Sequence, residues 1–170
     1  MNKKNLHKFK AKMSALTYEE YFYRRFDSQV QLVRELERVL GKKKAFEIVG
    51  KASERFAVGS VKKEIAKEGP LKNFEEFKAD WKKNNSSPFW DHTLTIRYLE
   101  ETPEKFPIRV TECLWAKTFK ELNATDIGYV LCCRPDFAMA RALHPKLRLK
   151  RTKTLMQGDD CCNHTWYWKG

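Results

Sequence analysis

The sequence predicts an α+β domain in which N-terminal helices pack on an antiparallel sheet, with further helices between the strands. Three observations predict this fold. Up to residue 84, apolar residues recur every three or four positions, which is the period of helices. Beyond a polar loop at residues 84–88, stretches of alternating apolar and polar residues appear, which is the period of strands. The last two such stretches flank a Gly-Asp turn, as the strands of a hairpin do.

The first helix is predicted to begin after Thr17, because Thr17 and Glu20 have the spacing of a capping box. The apolar residues behind this cap recur at helical spacing: Phe22, Phe26, Val30, Val33, Leu36 and Leu40. Gly41 follows them and favours the end of the helix. The pattern therefore predicts a long amphipathic helix that covers one face of the core.

Two more helices are predicted before the polar loop. The second begins near Lys43 and ends at the pair Gly69-Pro70. Its expected apolar face comprises Ala45, Phe46, Val49, Ala52, Phe56 and Ile65. The third is short and begins at Asn73, whose spacing to Glu76 repeats the cap pattern.

The first strand is predicted at residues 90–98, where apolar and polar side chains alternate. His92 then falls on the apolar face, and a core histidine with one hydrogen bond is expected there. Residues 102–107 are predicted to form a turn, and residues 108–111 a short strand.

Helices are predicted between this strand and the final hairpin. Residues 112–122 form the first of them, and another begins at Thr125 or Asp126 and ends before His144. Pro135 is expected to kink or restart that helix, because proline lacks the backbone N–H that a helix needs. The hairpin consists of a basic strand from Leu147 to Leu155, a turn at residues 158–159 and a strand from Cys162 to Trp168.

These elements predict a basic tail at residues 1–16 and a single domain at residues 17–170. Within that domain, residues 17–84 form the helical part. Residues 89–168 form the sheet-containing part, and the chemically informative residues lie there.

The chain of 170 residues carries 34 Lys and Arg against 22 Asp and Glu, a net charge of +12. Such an excess attracts phosphates, nucleic acid or small carboxylates without deciding between them. Lysines at positions 3, 4, 8, 10 and 12 make the first residues basic, as is common for a solvated, frayed terminus. We expect no membrane span and no secretory signal, because neither type of apolar run is present. A cytoplasmic location with reduced thiols is expected.

A second basic stretch lies at residues 146–153 and has two interpretations. It is either the solvated, charge-protected face of an edge strand or a source of ligands for an anionic substrate. For the second interpretation, arginine is the better candidate, since its planar fork binds a carboxylate with two hydrogen bonds. The aromatic residues occupy apolar periodic positions, which favours a core and makes nucleic acid an unexpected partner.

The chain has five cysteines: Cys113, Cys132, Cys133, Cys161 and Cys162. Their odd number and the two adjacent pairs do not suit a disulfide framework. Burial as small hydrophobic side chains is the ordinary interpretation, and we favour it for Cys132 and Cys161. A thiolate–histidine metal site is a weaker alternative because the spacing is scattered.

The residues that could together carry catalytic chemistry are Cys113, Cys132, Cys133, Asp136, Cys162 and His164. On a helix, Asp136 shares a face with Cys133 or with Cys132, which lie three and four positions before it. A carboxylate alone raises the pKa of a thiol, so Asp136 is better suited to orienting a histidine, an amine or a water. Arg134 or His164 would supply the positive charge that a reactive thiolate needs.

Three sequence blocks in the C-terminal part carry a more specific pattern. They are VTECLWA at 110–116, DIGY at 126–129 followed by CRPDF at 133–137, and LKRTKTLMQGDDCCNH at 149–164. The last block combines a basic strand, a Gly-Asp turn and a cysteine followed two residues later by histidine. Together these blocks resemble the L-2-amino-thiazoline-4-carboxylic acid hydrolase family over residues 108–168.

The resemblance implies a hydrolase of a small carboxylated heterocycle, acting on carbon–nitrogen (non-peptide) bonds of a cyclic amidine. The ring of 2-aminothiazoline-4-carboxylate would be opened by water to give N-carbamoyl-cysteine. The recurring positions of the family fall on Cys113, Cys133, Asp136, Arg151, Gly158, Asp159, Cys162 and His164. No cofactor and no metal are implied, and the expected partner is the small carboxylated substrate.

The resemblance also suggests roles for individual residues. Asp136 would hydrogen-bond the exocyclic amine, and His164 would give a proton to the departing sulfur. Arg151 and Asp159 are the expected substrate-binding residues, with Arg151 holding the carboxylate. The alternative function is a non-catalytic module that binds or senses a small molecule or a metal.

Overall fold

The structure is a computed structural model that describes residues 15–169, and it confirms the predicted α+β fold. Nearly all of the basic tail predicted at residues 1–16 lies outside the described residues. Helix α1 spans Tyr18–Leu40 and begins with the predicted capping box. The backbone N–H of Glu20 donates to Thr17 Oγ1 at 3.2 Å, and the N–H of Thr17 donates to the Glu20 carboxylate at 2.9 Å.

Helix α2 spans Lys42–Glu68 and ends at Gly69, as predicted. Its buried face differs from the prediction, because Phe56 is 76% exposed. The helix packs against α1 and also against a helix from the C-terminal half, so its buried side chains do not follow one stripe. None of the helices within residues 15–169 is long and apolar enough to cross a membrane.

Helix α3 spans Phe74–Asn85 and is capped by Asn73, as predicted. The strand predicted at residues 90–98 is shorter, because a helical turn, α4, occupies Pro88–Asp91. Proline at the first position of a helix is favourable, and this local preference overrides the alternating pattern. His92 is consequently exposed at the end of α4, and its prediction as a core histidine is wrong.

The sheet has four antiparallel strands in the order β1-β2-β4-β3. Strand β1 spans Leu94–Tyr98 and β2 spans Lys105–Cys113, longer than the predicted residues 108–111. Strand β3 spans only Leu147–Lys150, and β4 spans Cys162–Trp168 as predicted. The predicted strand at 147–155 therefore ends early, and a short 3₁₀ helix follows at Leu155–Gln157.

Between β2 and β3 the chain forms three α-helical segments and a π-helical turn. Helix α5 spans Leu114–Glu121, α6 spans Thr125–Gly128 and α7 spans Asp136–Leu143. The π-helical turn at Tyr129–Cys133 separates α6 from α7. Pro135 lies just before α7, which confirms the predicted restart of the helix.

The buried side chains form two clusters, and their meeting point positions the site. One cluster unites α1, α2, α5 and α6 around Phe119 and Ile127. The other lies between α3, α7 and one face of the sheet, around Phe106 and Trp166. Strand β4 carries Cys162, His164 and Trp166 on the sheet face that turns toward the helices, and Trp166 belongs to the second cluster. The domain bounds drawn from the sequence stay a prediction.

Gly128 tests the packing of the first cluster. A Cβ added there would lie 2.6 Å from both Met156 Sδ and Phe119 Cγ, which are themselves buried. We expect Gly128→Ala to lower the free energy of unfolding by about 1–3 kcal/mol, the usual range for overpacking. Denaturant unfolding measures this change.

Gly59→Ala is the matched control, because a Cβ at Gly59 in the middle of α2 would meet nothing within 4 Å. It should raise the free energy of unfolding by up to about 1 kcal/mol, since alanine favours a helix interior. Equal effects of the two substitutions would contradict the close approach at Gly128.

Candidate active site

The centre of the site is the guanidinium group of Arg151, which follows β3 directly. Nη1 donates to Asp136 Oδ2 at 2.5 Å, and Nη2 donates to the backbone carbonyl of Cys133 at 2.7 Å. Nη1 also lies 3.1 Å from His164 Nε2. The side chain of Arg151 is only 3% exposed. One buried cation therefore connects three residues that the sequence had proposed as site members.

The break in the helix explains why this carbonyl needs Arg151. At the end of the π-helical turn, the N–H of Arg134 donates to the Tyr129 carbonyl at 2.8 Å. Beyond Pro135 the helix restarts, and the N–H groups of Ala138 and Met139 donate to the Pro135 carbonyl. The Cys133 carbonyl is left beside the break, and Arg151 satisfies it. Asp136 is the first residue of α7, where the helix dipole favours a carboxylate.

The charge of Arg151 is stabilised by its surroundings. Burial lowers the pKa of Arg151, but the Asp136 carboxylate and the neighbouring groups outweigh it and leave that pKa raised. The ring of Phe137 adds a cation–π contact, with its centroid 5.0 Å from Arg151 Cζ. Arg151 is therefore a permanent cation inside the fold.

The orientation of His164 follows from its contact with Arg151. A guanidinium group has only donors, so His164 Nε2 accepts and the ring hydrogen lies on Nδ1. Within the described chain, Nδ1 is buried and has no hydrogen-bond partner. The distance from His164 Nε2 to Asp136 Oδ2 is 3.9 Å, so Arg151 stands between the imidazole and the carboxylate. The ring thus presents an unused donor.

The thiols around this cluster are protonated at neutral pH. Burial raises the pKa of Cys113 to about 11, although the backbone N–H groups at the start of α5 counteract it. Burial also raises the pKa of Cys132, Cys133 and Cys162, and the Asp136 carboxylate raises each of the three further. Cys162 accepts a hydrogen bond from the Leu155 N–H at 3.3 Å. These environments do not produce a thiolate.

Asp159 lies apart from the cluster. Its carboxylate accepts from the Thr154 N–H at 2.7 Å, and its own N–H donates to the Thr154 carbonyl at 3.1 Å. Gly158, before it, has a φ of 95°, which glycine adopts without strain. The Gly-Asp pair therefore closes the loop around the 3₁₀ helix, and the substrate-binding role expected for Asp159 stays a prediction.

The cluster reaches solvent through Asp136, whose side chain is 31% exposed, whereas that of His164 is 12% exposed. Two surface pockets, of about 400 and 150 Å³, lie elsewhere in the structure. The first lies at the end of β4 beside Tyr167, and the second lies between α1 and Trp115. Neither is lined by Asp136, Arg151 or His164.

Sequence reasoning missed the contacts that hold the cluster together. Phe137 and the π-helical turn at Tyr129–Cys133 were not singled out, although Pro135 is a signal of an irregular backbone at this point. Within residues 15–169, no three His, Cys, Asp or Glu side chains are arranged to share a metal ion. The metal-binding alternative thus has no ligand set in that part of the chain.

Comparison with protein families identifies the family of the chain. The profile of the family described as L-2-amino-thiazoline-4-carboxylic acid hydrolase matches residues 18–166. The chain belongs to this family. The match is wider than the resemblance seen in the sequence, which began at residue 108, and it includes helices α1 to α3. No curated protein matches the chain.

Arg151 is expected to contribute strongly to the stability of this family member. Arg151→Met would leave the Cys133 carbonyl and the Asp136 carboxylate without their donor. We expect a loss somewhat below the roughly 3–5 kcal/mol typical of fully buried pairs, because Asp136 is partly exposed. Denaturant unfolding checks this, with exposed Lys150→Met as the control. When Asp136 is already replaced by Asn, Arg151→Met should lower the free energy of unfolding by less than it does in the wild type. If the effects of the two substitutions simply add, the two residues are not coupled.

The stability at alkaline pH should report the buried thiol of Cys113. Its pKa of about 11 in the folded protein exceeds the roughly 8.5 of an unfolded thiol. The resulting stability is complete below about pH 8.5 and is lost as the pH rises through 11, because the unfolded chain releases its proton first. Cys113→Ser should reduce the loss by at most about 1.4 kcal/mol per pH unit. If the free energy of unfolding falls equally with rising pH in the wild type and in Cys113→Ser, this expectation is wrong.

Proposed function

We propose that the protein hydrolyses a small, carboxylated cyclic amidine such as 2-aminothiazoline-4-carboxylate. The observation that supports it most is the buried guanidinium of Arg151, which joins a carboxylate, an imidazole and the π-helical turn of Cys133. The description of the family supports the reaction class. The cluster combines a hydrogen-bond acceptor exposed to solvent, the Asp136 carboxylate, with a buried donor, His164 Nδ1–H. Hydrolysis needs an acceptor to orient the water and a donor to stabilise the leaving group.

The proposed reaction adds one water to the ring. The water oxygen forms a bond to C2, the carbon between the two nitrogens and the sulfur, and the bond from C2 to sulfur breaks. One hydrogen of the water goes to the ring nitrogen and the other to the sulfur. The product is N-carbamoyl-cysteine, which carries a free thiol.

In this proposal Asp136 binds the amidine and orients the attacking water. Arg151 occupies its Oδ2 atom, which leaves Oδ1 for a ligand. The side chain of Asp136 is also more exposed than those of Arg151 and His164. An ionised carboxylate accepts hydrogen bonds from the N–H groups of an amidine or from water.

His164 has the complementary role. Its Nδ1–H is buried without a partner, and such a group is satisfied when a ligand acceptor reaches it. We assign it a hydrogen bond to the departing sulfur: Nδ1–H stabilises the negative charge that develops there, and the sulfur takes up the second hydrogen of the attacking water. This modifies the role expected from the sequence, because the donor is now the nitrogen that faces away from Arg151.

Water is the proposed nucleophile rather than a cysteine. Attack by sulfur requires a thiolate, and burial raises the pKa of Cys113, Cys133 and Cys162. In this mechanism these thiols shape the apolar wall of the site. Arg151 acts as a positioning residue, because its two nitrogens already serve Asp136 and the Cys133 carbonyl. Its expected contact with the substrate carboxylate is therefore not part of the proposal.

The test is an assay of the full chain with 2-aminothiazoline-4-carboxylate, which detects the released thiol with a thiol reagent and the product by mass. We expect Asp136→Asn to lower kcat/KM at least about 100-fold, the scale of lost acid–base or orienting groups. Asp160→Asn is the matched control, since that exposed carboxylate pairs with Lys153 across the turn.

The alternative, a module that binds without turnover, gives a different result. The compound would then bind in calorimetry, Asp136→Asn would weaken that binding, and no thiol would appear. If the protein neither turns over nor binds the compound, the assignment to this substrate class is overturned. Full activity of a folded Asp136→Asn variant would refute the proposed site.

A further inference from the structure

The side of the sheet that faces away from the helices is strongly basic. Residues paired across neighbouring strands share a face, so the register identifies its members. Five cations occupy strand positions on this face: Arg97, Lys105, Arg109, Arg148 and Lys150. None of them is buried. We call these five residues, together with Tyr167, the basic sheet face.

The cations are not neutralised by nearby acids. Within residues 15–169, none of the five is ion-paired with a carboxylate, although neighbouring Lys82 and Lys153 pair with Glu101 and Asp160. One acid, Glu112, takes a strand position on this side of the sheet, at the bulge in β2, and Thr95 donates a hydrogen bond to it. The basic sheet face therefore carries a clear excess of positive charge.

Two of these arginines oppose each other directly. Arg97 of β1 pairs with Arg109 of β2, and both are exposed. Like charges in directly paired positions destabilise a sheet. An arrangement that weakens the fold is expected where an anionic partner compensates the repulsion.

An aromatic side chain lies among the cations. Tyr167 of β4 pairs with Lys105 on one side and with Arg148 on the other. It is half-buried, and with Lys105 it lines the surface pocket of about 400 Å³, whose wall also includes Glu104. The aromatic residues of the chain were expected in the core, but Tyr167 lies on the opposite side of the sheet from buried Trp166.

We propose that the basic sheet face binds single-stranded nucleic acid, with phosphates on the cations and a base against Tyr167. Cations that follow a backbone and an aromatic ring on which a base stacks are the two elements of such binding. An acidic polypeptide would use the cations but has no need of an aromatic ring between them. The proposed hydrolase site lies on the other side of the sheet, so the two proposals are independent.

The test measures binding of a fluorescent oligothymidylate of ~15 nucleotides to the full chain, at about 50 and about 200 mM salt. We expect the double variant Lys105→Ala/Arg109→Ala to weaken binding at least about tenfold and to lower the salt slope by about 2. The matched control is Lys62→Ala/Lys63→Ala on exposed positions of α2, which should change affinity less than about twofold. All variants keep the lysines of residues 3–12, so the comparison isolates the sheet.

A second pair of variants tests the stacking. Tyr167→Leu should weaken binding at least about fivefold, whereas Tyr167→Phe should bind like the wild type, since both rings stack. Arg109→Ala should raise the midpoint of thermal unfolding while it weakens binding, because it removes the repulsion from Arg97. If Arg109 had only a structural role, Arg109→Ala would lower both the midpoint of thermal unfolding and the affinity for the oligonucleotide.

Three results would overturn the proposal. The first is no binding of the oligonucleotide at about 50 mM salt. The second is an equal loss of affinity in the α2 control, which would indicate attraction by net charge alone. The third is polyglutamate competing as well as the oligonucleotide while Tyr167→Leu has no effect, which would indicate an acidic protein partner. Hydrolysis by the Lys105→Ala/Arg109→Ala variant is measured in parallel and should equal the wild type.

Discussion

The interaction on which the site depends is the pairing of Arg151 with the interrupted helix before α7. A proline and a π-helical turn leave a carbonyl and a carboxylate at the same break, and one guanidinium group binds both. Taking a cation out of water is unfavourable unless its hydrogen bonds are satisfied. Arg151 needs these two acceptors to be buried, and the two acceptors need its donors. Their hydrogen bonds hold the end of β3 against the start of α7.

This constraint also determines the chemistry that the cluster can offer. Because Arg151 donates to His164 Nε2, the free donor of the imidazole is Nδ1. Because Arg151 uses one oxygen of Asp136, the other oxygen is available at the more exposed side. Burial raises the pKa of the nearby thiols of Cys113 and Cys133, which keeps them protonated. The resulting arrangement suits water attack better than covalent catalysis by cysteine.

The sheet separates two surfaces with opposite properties. Its inner face carries Cys162 and Trp166 and packs against helices. Its outer face carries cations at positions where a half-buried sheet usually mixes polar groups of both signs. Alternation along a strand assigns neighbouring residues to different faces, so His164 and Thr165 belong to different surfaces although they are adjacent in the chain.

The local signals in the sequence were sufficient for helices α1 to α3 and for the pairing of β3 with β4. The capping box at Thr17, the Asn73 cap and the Pro135 restart each act within a few residues, so they can be recognised without the fold. The strand predicted at residues 90–98 begins only at Leu94, because Pro88 favours a helical turn that the alternating pattern did not reveal. Phe56 was misassigned because a helix with two partners has no single buried stripe.

The sequence by itself determined the fold class, the family resemblance and the residues worth attention, because composition, periodicity and short motifs are local properties. Only the tertiary structure decided which of these residues meet. It joined Asp136, Arg151 and His164, bonded Asp159 into its own loop and put Tyr167 among cations. The physical reason is that strand register and a helix break bring together side chains from separate elements, and no spacing along the chain encodes that distance.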